Sequence, residues 1–194
     1  MSLRILGIDP GTHAVGYGAV EHGDGGLQHV ASGTVRAPAA QLGERLAVIH
    51  AEIVAHMAQL APDVIVLEKI FHGKNVSTLV KIGEGRGVIV LAAAQAGIPL
   101  AEYAPALVKK ALCGRGAAPK EQVAFLVRHY LGLAEETELG HDATDALALA
   151  ICHASRTQFL TLCELPQRHN QARTLEIKYP GQGRVSSGDG RRMS

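Results

Sequence analysis

Two short apolar runs constrain this chain more than any other feature: LRILGID, residues 3–9, and DVIVLE, residues 63–68. Neither alternates between apolar and polar positions. A continuous run of this length reads as a strand buried on both faces, which requires helices above and below its sheet. Each run ends on an acid, Asp9 and Glu68. Burying a charge is costly unless it is paired, so both acids call for a partner.

The remaining segments supply the layers. AVGYGAVE (14–21) and LQHVASGTVR (27–36), joined through GDGG, complete an antiparallel three-strand meander with residues 3–9. Leu42, Leu46, Ile49, Ile53, Met57 and Leu60 have helical spacing, predicting a helix over 41–60 that Pro62 stops. FHGKN (71–75) reads as a loop. Residues 76–96 predict a long apolar helix containing Gly83, Gly85 and Gly87. Each glycine costs a helix roughly 1 kcal/mol relative to Ala, so their presence implies close approach of another backbone, chain or ligand. IPLAEY (98–103) reads as a short strand, and Pro105 opens a helix to about Leu112. PKEQVAFLVRHYLG predicts a helix with Pro119 in its first turn, and HDATDALALAICHA a final one after a polar connection. The order predicts an α/β fold: a mixed five-stranded sheet, its first three strands antiparallel, with helices on both faces.

The chain has 194 residues, 47% hydrophobic and 19% charged, which suits one globular domain. That domain is expected over residues 1–158. Beyond it, at 159–194, periodicity fades into a basic, Gly/Ser/Arg-rich segment expected to be irregular and disordered. No apolar run reaches the ~18 residues of a membrane span, and no secretory pattern opens the chain. Cys113, Cys152 and Cys163 lack metal-ligand spacing and read as reduced thiols, the expectation for a cytoplasmic protein. Net charge is only +1, but charges segregate. Eight bases fall between Lys69 and Lys120 against Glu84 and Glu102; six acids fall between Glu121 and Asp145 against Arg128. Such segregation fits a basic surface beside an acidic pocket, and equally fits ordinary surface charge.

Two further acids, Asp142 and Asp145, lie three apart where the last helix begins, so they share one face. Taken singly, Asp before Pro-Gly is a turn former and the helical pair are first-turn acids. Together with Asp9 and Glu68 they suggest a cluster. At ~4 Å a like-charged pair repels by about 4 kcal/mol at an effective dielectric near 20, so cations must hold such a cluster or it must take up protons. Hard oxygen ligands suit Mg²⁺ or Mn²⁺, and two such ions ~4 Å apart can clamp both oxygens of a phosphoryl displacement.

In order, ILGIDPGTHAVGYGAV, VIVLEKIFHGKN, LVKIGEGRGVIV, EYAPALVKKALCGRGAAPKEQV and HDATDALALAICH resemble the RuvC family of Holliday-junction resolvases, from about Leu3 to Arg156. The resemblance implies an RNase H-like fold and a homodimer that cuts four-way DNA junctions in recombination and repair. It implies two Mg²⁺ per active site, with Mn²⁺ able to substitute, on Asp9, Glu68, Asp142 and Asp145. The family position falling on Asp142 can be histidine; His141 precedes it and shares a helical face with Asp145, so His141 remains an alternative. Phe71 matches an aromatic that engages bases at the junction. Lys109 and Lys120 match bases near the scissile phosphate, with Lys120 counted as catalytic. Lys74, Lys81, Arg86 and Lys110 are candidate DNA-backbone contacts. GEGRG falls in the helix near the family's dimer interface, and RuvA and RuvB are the implied functional partners. Two other readings stand beside this one: an actin-like or sugar-kinase-like phosphotransferase lobe, whose phosphate loop IDPGT resembles, and a non-catalytic junction-binding protein.

Overall fold

A computed structural model of the chain describes residues 2–38, 40–70, 76–134 and 136–164, the last seven by backbone alone. Five strands form one sheet: β1 (Leu3–Asp9), β2 (Ala14–Gly23), β3 (Gly26–Arg36), β4 (Val64–Glu68) and β5 (Leu100–Tyr103). Their spatial order is β3-β2-β1-β4-β5. β1 pairs antiparallel with β2, and β2 with β3, while β1–β4 and β4–β5 are parallel. The expected mixed sheet with an antiparallel opening meander is therefore present. β1 lies at its centre, which explains an apolar run with no alternation.

The two faces of β1 feed two cores. Leu6 and Ile8 pack with Ile49, Ile53 and Met57 of α1 (Leu42–Leu60) and Ile89 of α2 (Val76–Gln95). Ile5 packs on the other face with Val64 and Val66. Those residues meet Val108 of α3 (Pro105–Cys113), Val123 and Val127 of α4 (Lys120–Leu131), and Leu147 of α5 (His141–Glu164). By the period of two along a strand, Asp9 shares the α5 face with Ile5, and Glu68 shares it with Val64 and Val66.

Several boundaries differ from the sequence expectation. α1 turns at Ala61, a non-glycine residue in the left-handed region (φ 45°), one position before Pro62. Pro119 is the N-cap of α4 rather than a residue of its first turn. α5 runs to Glu164, so residues 159–164 are helical, not irregular as expected; Leu160, Leu162 and Glu164 are strong helix formers that extend the preceding turns. The rest of the expected tail, 165–194, lies outside the described residues, as do Phe71 and Lys74. No described helix is long and apolar enough to cross a membrane. Cys113 and Cys152 carry free thiols, and burial pushes that of Cys152 up to about 11.

Candidate active site

Parallel pairing sets Asp9 beside Glu68. The β1–β4 register runs Ile5↔Val64 to Ile8↔Leu67, so the next residue of each strand is the acid. Both stand at the carboxyl rim of the sheet, where open α/β sheets bind ligands.

The helical acids arrive by a route that spacing alone did not reveal. Asp9 pairs across β1–β2 with Gly16, and Gly7 with Gly18. A β-carbon on Gly16 would stand 2.0 Å from the Asp142 carbonyl oxygen and 2.9 Å from the Asp142 Cβ. One on Gly7 would meet the Ala146 carbonyl at 2.0 Å, and one on Gly18 the Leu147 side chain at 2.6 Å. Three glycines thus form a lane in which α5 lies directly on the sheet, and its first turn brings Asp142 beside the partner of Asp9. The signal was available in GIDPGTHAVGYGAV: Gly16 and Gly18 stand two apart on one face of β2, where a half-buried strand favours β-branched residues.

Asp9, Glu68 and Asp145 line a common cleft of about 290 Å³ with Lys109, Lys120 and Pro105. Lys120 donates to Asp145 Oδ2 at 3.1 Å. The Asp9 carboxyl is pushed up to about 7, first by burial and then by Asp145, Glu68 and Asp142; Lys120 partly offsets this. Three other acids therefore act on Asp9 here. Lys120 is held protonated above its ordinary range, first by its hydrogen bond to Asp145. As the side chains stand, no three acid, His or Cys groups among the described residues close around a single ion position. The donor set nevertheless fits a divalent ion chemically: hard carboxylate oxygens whose mutual repulsion one ammonium only partly relieves.

The other candidates divide. Lys109 lines the cleft and Lys120 stands in it. Lys81 and Lys110 are exposed on α2 and α3, away from the cleft lining. Arg86 does not present itself to solvent as a backbone contact would. Its side chain, 16% exposed, forms an ion pair with Glu102 and donates to the Glu68 carbonyl at 3.2 Å. It braces the strand end that carries Glu68, a role the sequence reading missed. His141 lies on a different depression, with Lys120 and Arg128, whereas Asp142 sits against Gly16.

Among the described residues, a close backbone meets Gly85 alone of the three helix glycines: a β-carbon there would lie 2.4 Å from the Gly11 carbonyl oxygen. Gly85 thus seats α2 against the turn after Asp9. A β-carbon on Gly83 or Gly87 would meet nothing within 4 Å among the described residues.

A sheet of this order, with acids gathered at its carboxyl rim and a helix laid over a glycine lane beside them, defines the class: an RNase H-like fold with an acidic site suited to phosphodiester chemistry. The family model described as crossover junction endodeoxyribonuclease RuvC matches residues 5–153, and the chain belongs to the RuvC family. A relative named crossover junction endodeoxyribonuclease RuvC from Moorella thermoacetica is 48% identical over 154 residues, covering 79% of this chain and 92% of that protein. The Thermus thermophilus RuvC structure superposes with a TM-score of 0.74 at 34% identity, covering 82% of this chain and 98% of that one. The same protein in complex with Holliday junction substrate gives a TM-score of 0.74, also at 34% identity and 82% of this chain, with 97% of that chain covered.

Proposed function

We propose that this protein resolves four-way DNA junctions as a divalent-metal-dependent endonuclease, nicking two symmetry-related strands in recombination and repair. One observation carries the reading: Asp9, Glu68 and Asp145 line one cleft with Lys120 at the rim of the sheet, and Asp142 lies against Gly16, the cross-strand partner of Asp9. Family membership supports it, as does a relative solved with Holliday junction substrate. The phosphotransferase and non-catalytic readings have no comparable support.

Asp9, Glu68, Asp142 and Asp145 would hold two Mg²⁺, with Mn²⁺ able to substitute. When bound, such ions lower the pKa of an attacking water and stabilise charge on the departing 3′ oxygen. The chain's own groups do the rest. Burial first, and then its acidic neighbours, favour the protonated form of Asp9 in the metal-free protein, and a bound cation would favour the ionised ligand instead. The Lys120 ammonium, anchored on Asp145, offsets charge accumulating on the phosphate. Lys109, on the cleft wall, holds the scissile strand through a phosphate. Arg86 keeps the end of β4 in place so that Glu68 meets Asp9. Cleavage in this manner leaves 5′-phosphate and 3′-hydroxyl ends.

Two equivalent cuts call for two sites related by a two-fold axis, hence a homodimer. Phe71 and Lys74 belong to this proposal as junction contacts, with Lys81 and Lys110 as outlying phosphate contacts. Action in the cytoplasm, coupled to RuvA and RuvB, completes it.

The test is a synthetic four-way junction incubated with the protein in Mg²⁺ or Ca²⁺ and mapped at nucleotide resolution. Paired nicks in Mg²⁺ are expected. Asp9→Asn should lose nicking about 1,000-fold while still binding the junction, with affinity that falls steeply as salt rises. Undiminished nicking by Asp9→Asn would refute the proposal.

A further inference from the structure

The cleft uses only the first turn of α4, yet the outer face of that helix has an unusual composition. Val123, Val127 and Leu131 supply its core side. Phe125 points away from them and is 65% exposed in the middle of the helix. The His129 ring lies nearly parallel to it, at 8° with centroids 6.3 Å apart. The two rings stand on a groove of about 590 Å³ between α4 and the start of α5, whose other walls include Lys120, Arg128 and His141. Among the described residues, Glu121 is the one acid on its lining. Arg128 is fixed at the wall because its guanidinium donates to the carbonyls of Ala134 and Thr137, at 3.2 Å and 2.7 Å. Lys120 and Arg128 thus face the groove with two histidines, around an aromatic platform in its middle.

Two observations select the occupant. Lys120 belongs both to this groove and to the acidic cleft, so a polymer lying in one is continuous with the other. Cations flanking an exposed aromatic ring also match the chemistry of an unpaired nucleotide, with phosphates on the charges and a base on the ring. Phe125 stands five residues beyond Lys120. That is about 7.5 Å of helix rise, or about two nucleotides at 3.4 Å per step.

We propose that the groove between α4 and α5 binds the cut strand about two nucleotides from the scissile phosphate, with an unpaired base stacked on Phe125. The inference rests on the endonuclease reading and deepens it: Phe125 becomes a positioning residue that helps select which phosphate enters the cleft.

The experiment places a photo-crosslinking phenylalanine derivative at position 125 of the full chain and irradiates it with a four-way junction in Ca²⁺. In parallel, Phe125→Ala and Phe125→Trp are assayed for nicking in Mg²⁺. Crosslinks should fall on the cut strand within about two nucleotides of the nick. Phe125→Ala should bind and cut roughly tenfold less well, the range expected for losing one base–aromatic stack. Phe125→Trp should retain activity, and neither change should move the melting temperature of so exposed a site. Crosslinks confined to a second copy of the chain, or to duplex far from the nick, would overturn the proposal. So would wild-type cutting by Phe125→Ala. A wild-type chain that neither binds nor nicks the junction would instead overturn the endonuclease reading and the groove with it, so the two failures are distinguishable.

Discussion

The Asp142 main-chain carbonyl oxygen lies 2.0 Å from where a β-carbon on Gly16 would stand, and Gly16 is the cross-strand partner of Asp9. Backbone, not a flexible side-chain tip, occupies that space, so the helix must move if the space is filled. Gly16→Ala should lift the first turn of α5 off the sheet and carry Asp142 away from Asp9. The expected result is a stability loss of about 1–3 kcal/mol, the usual range for overpacking, with a larger proportional loss of nicking. Chemical denaturation beside a junction assay checks both. Unchanged activity would mean that the site tolerates a displaced Asp142.

The layout of the sheet was legible because its determinants are local. Double-faced apolar runs mark β1 and β4, the GDGG turn joins β2 to β3, and 3.6-residue periodicity marks α1. Asp9 and Glu68 were legible because an acid closing a buried strand violates local preference. Other features depended on distance. That Arg86 faces inward is set by Glu102 and the Glu68 carbonyl, which no pattern within α2 announces. The end of α5 was drawn short because its apolar periodicity fades before helical backbone does. The glycine lane was visible letter by letter, but its meaning required knowing which helix would lie upon it.

The Asp9 carboxyl, raised to about 7, makes the metal-free protein sensitive to pH. In the unfolded chain the same group titrates near ~3.9. Between these values the folded state holds the extra proton, so the contribution of Asp9 to stability is full below about pH 4 and is lost as pH rises through about 7, by on the order of a few kcal/mol. Melting curves in EDTA should therefore fall in temperature between pH 5 and 8 relative to Asp9→Asn, which cannot titrate there. Adding Mg²⁺ at pH 8 should restore the wild type and leave the variant largely unaffected, because the ion binds the ionised cluster. Parallel profiles for the two proteins would exclude a strongly perturbed Asp9.

Arg86 and Glu102 join α2 to β5 under the strand end that bears Glu68. Removing the guanidinium, itself 16% exposed, takes away the partner of the exposed Glu102 carboxylate and one donor to the Glu68 carbonyl. Arg86→Met should reduce nicking about tenfold or more and lower stability by roughly 2 kcal/mol, with only a small change in junction affinity. Arg86→Lys should recover part of the stability but less of the activity, since an ammonium lacks the fork that serves both partners. A large loss of affinity at unchanged turnover would instead identify Arg86 as a DNA contact.

The outer face of α2 carries a consistent stripe. Val76 is 74% exposed, Val80 54% and Leu91 53%, and the same stripe passes through Gly83 and Gly87, where an added β-carbon meets nothing within 4 Å. The steps of four, three, four and four residues follow the seam of a helix built to pack on another helix, and glycines on such a seam allow backbones to approach. Two copies pairing through this seam would exclude water from side chains that a lone chain leaves exposed. If the proposed homodimer pairs through this seam, Val80→Asp should shift it to monomer in sedimentation or light scattering while leaving the fold intact by circular dichroism. Junction nicking by the monomer should become unpaired, with single nicks accumulating where the wild type cuts both strands. A Val80→Asp protein that remains dimeric and makes paired cuts would place the two-fold interface elsewhere on the chain.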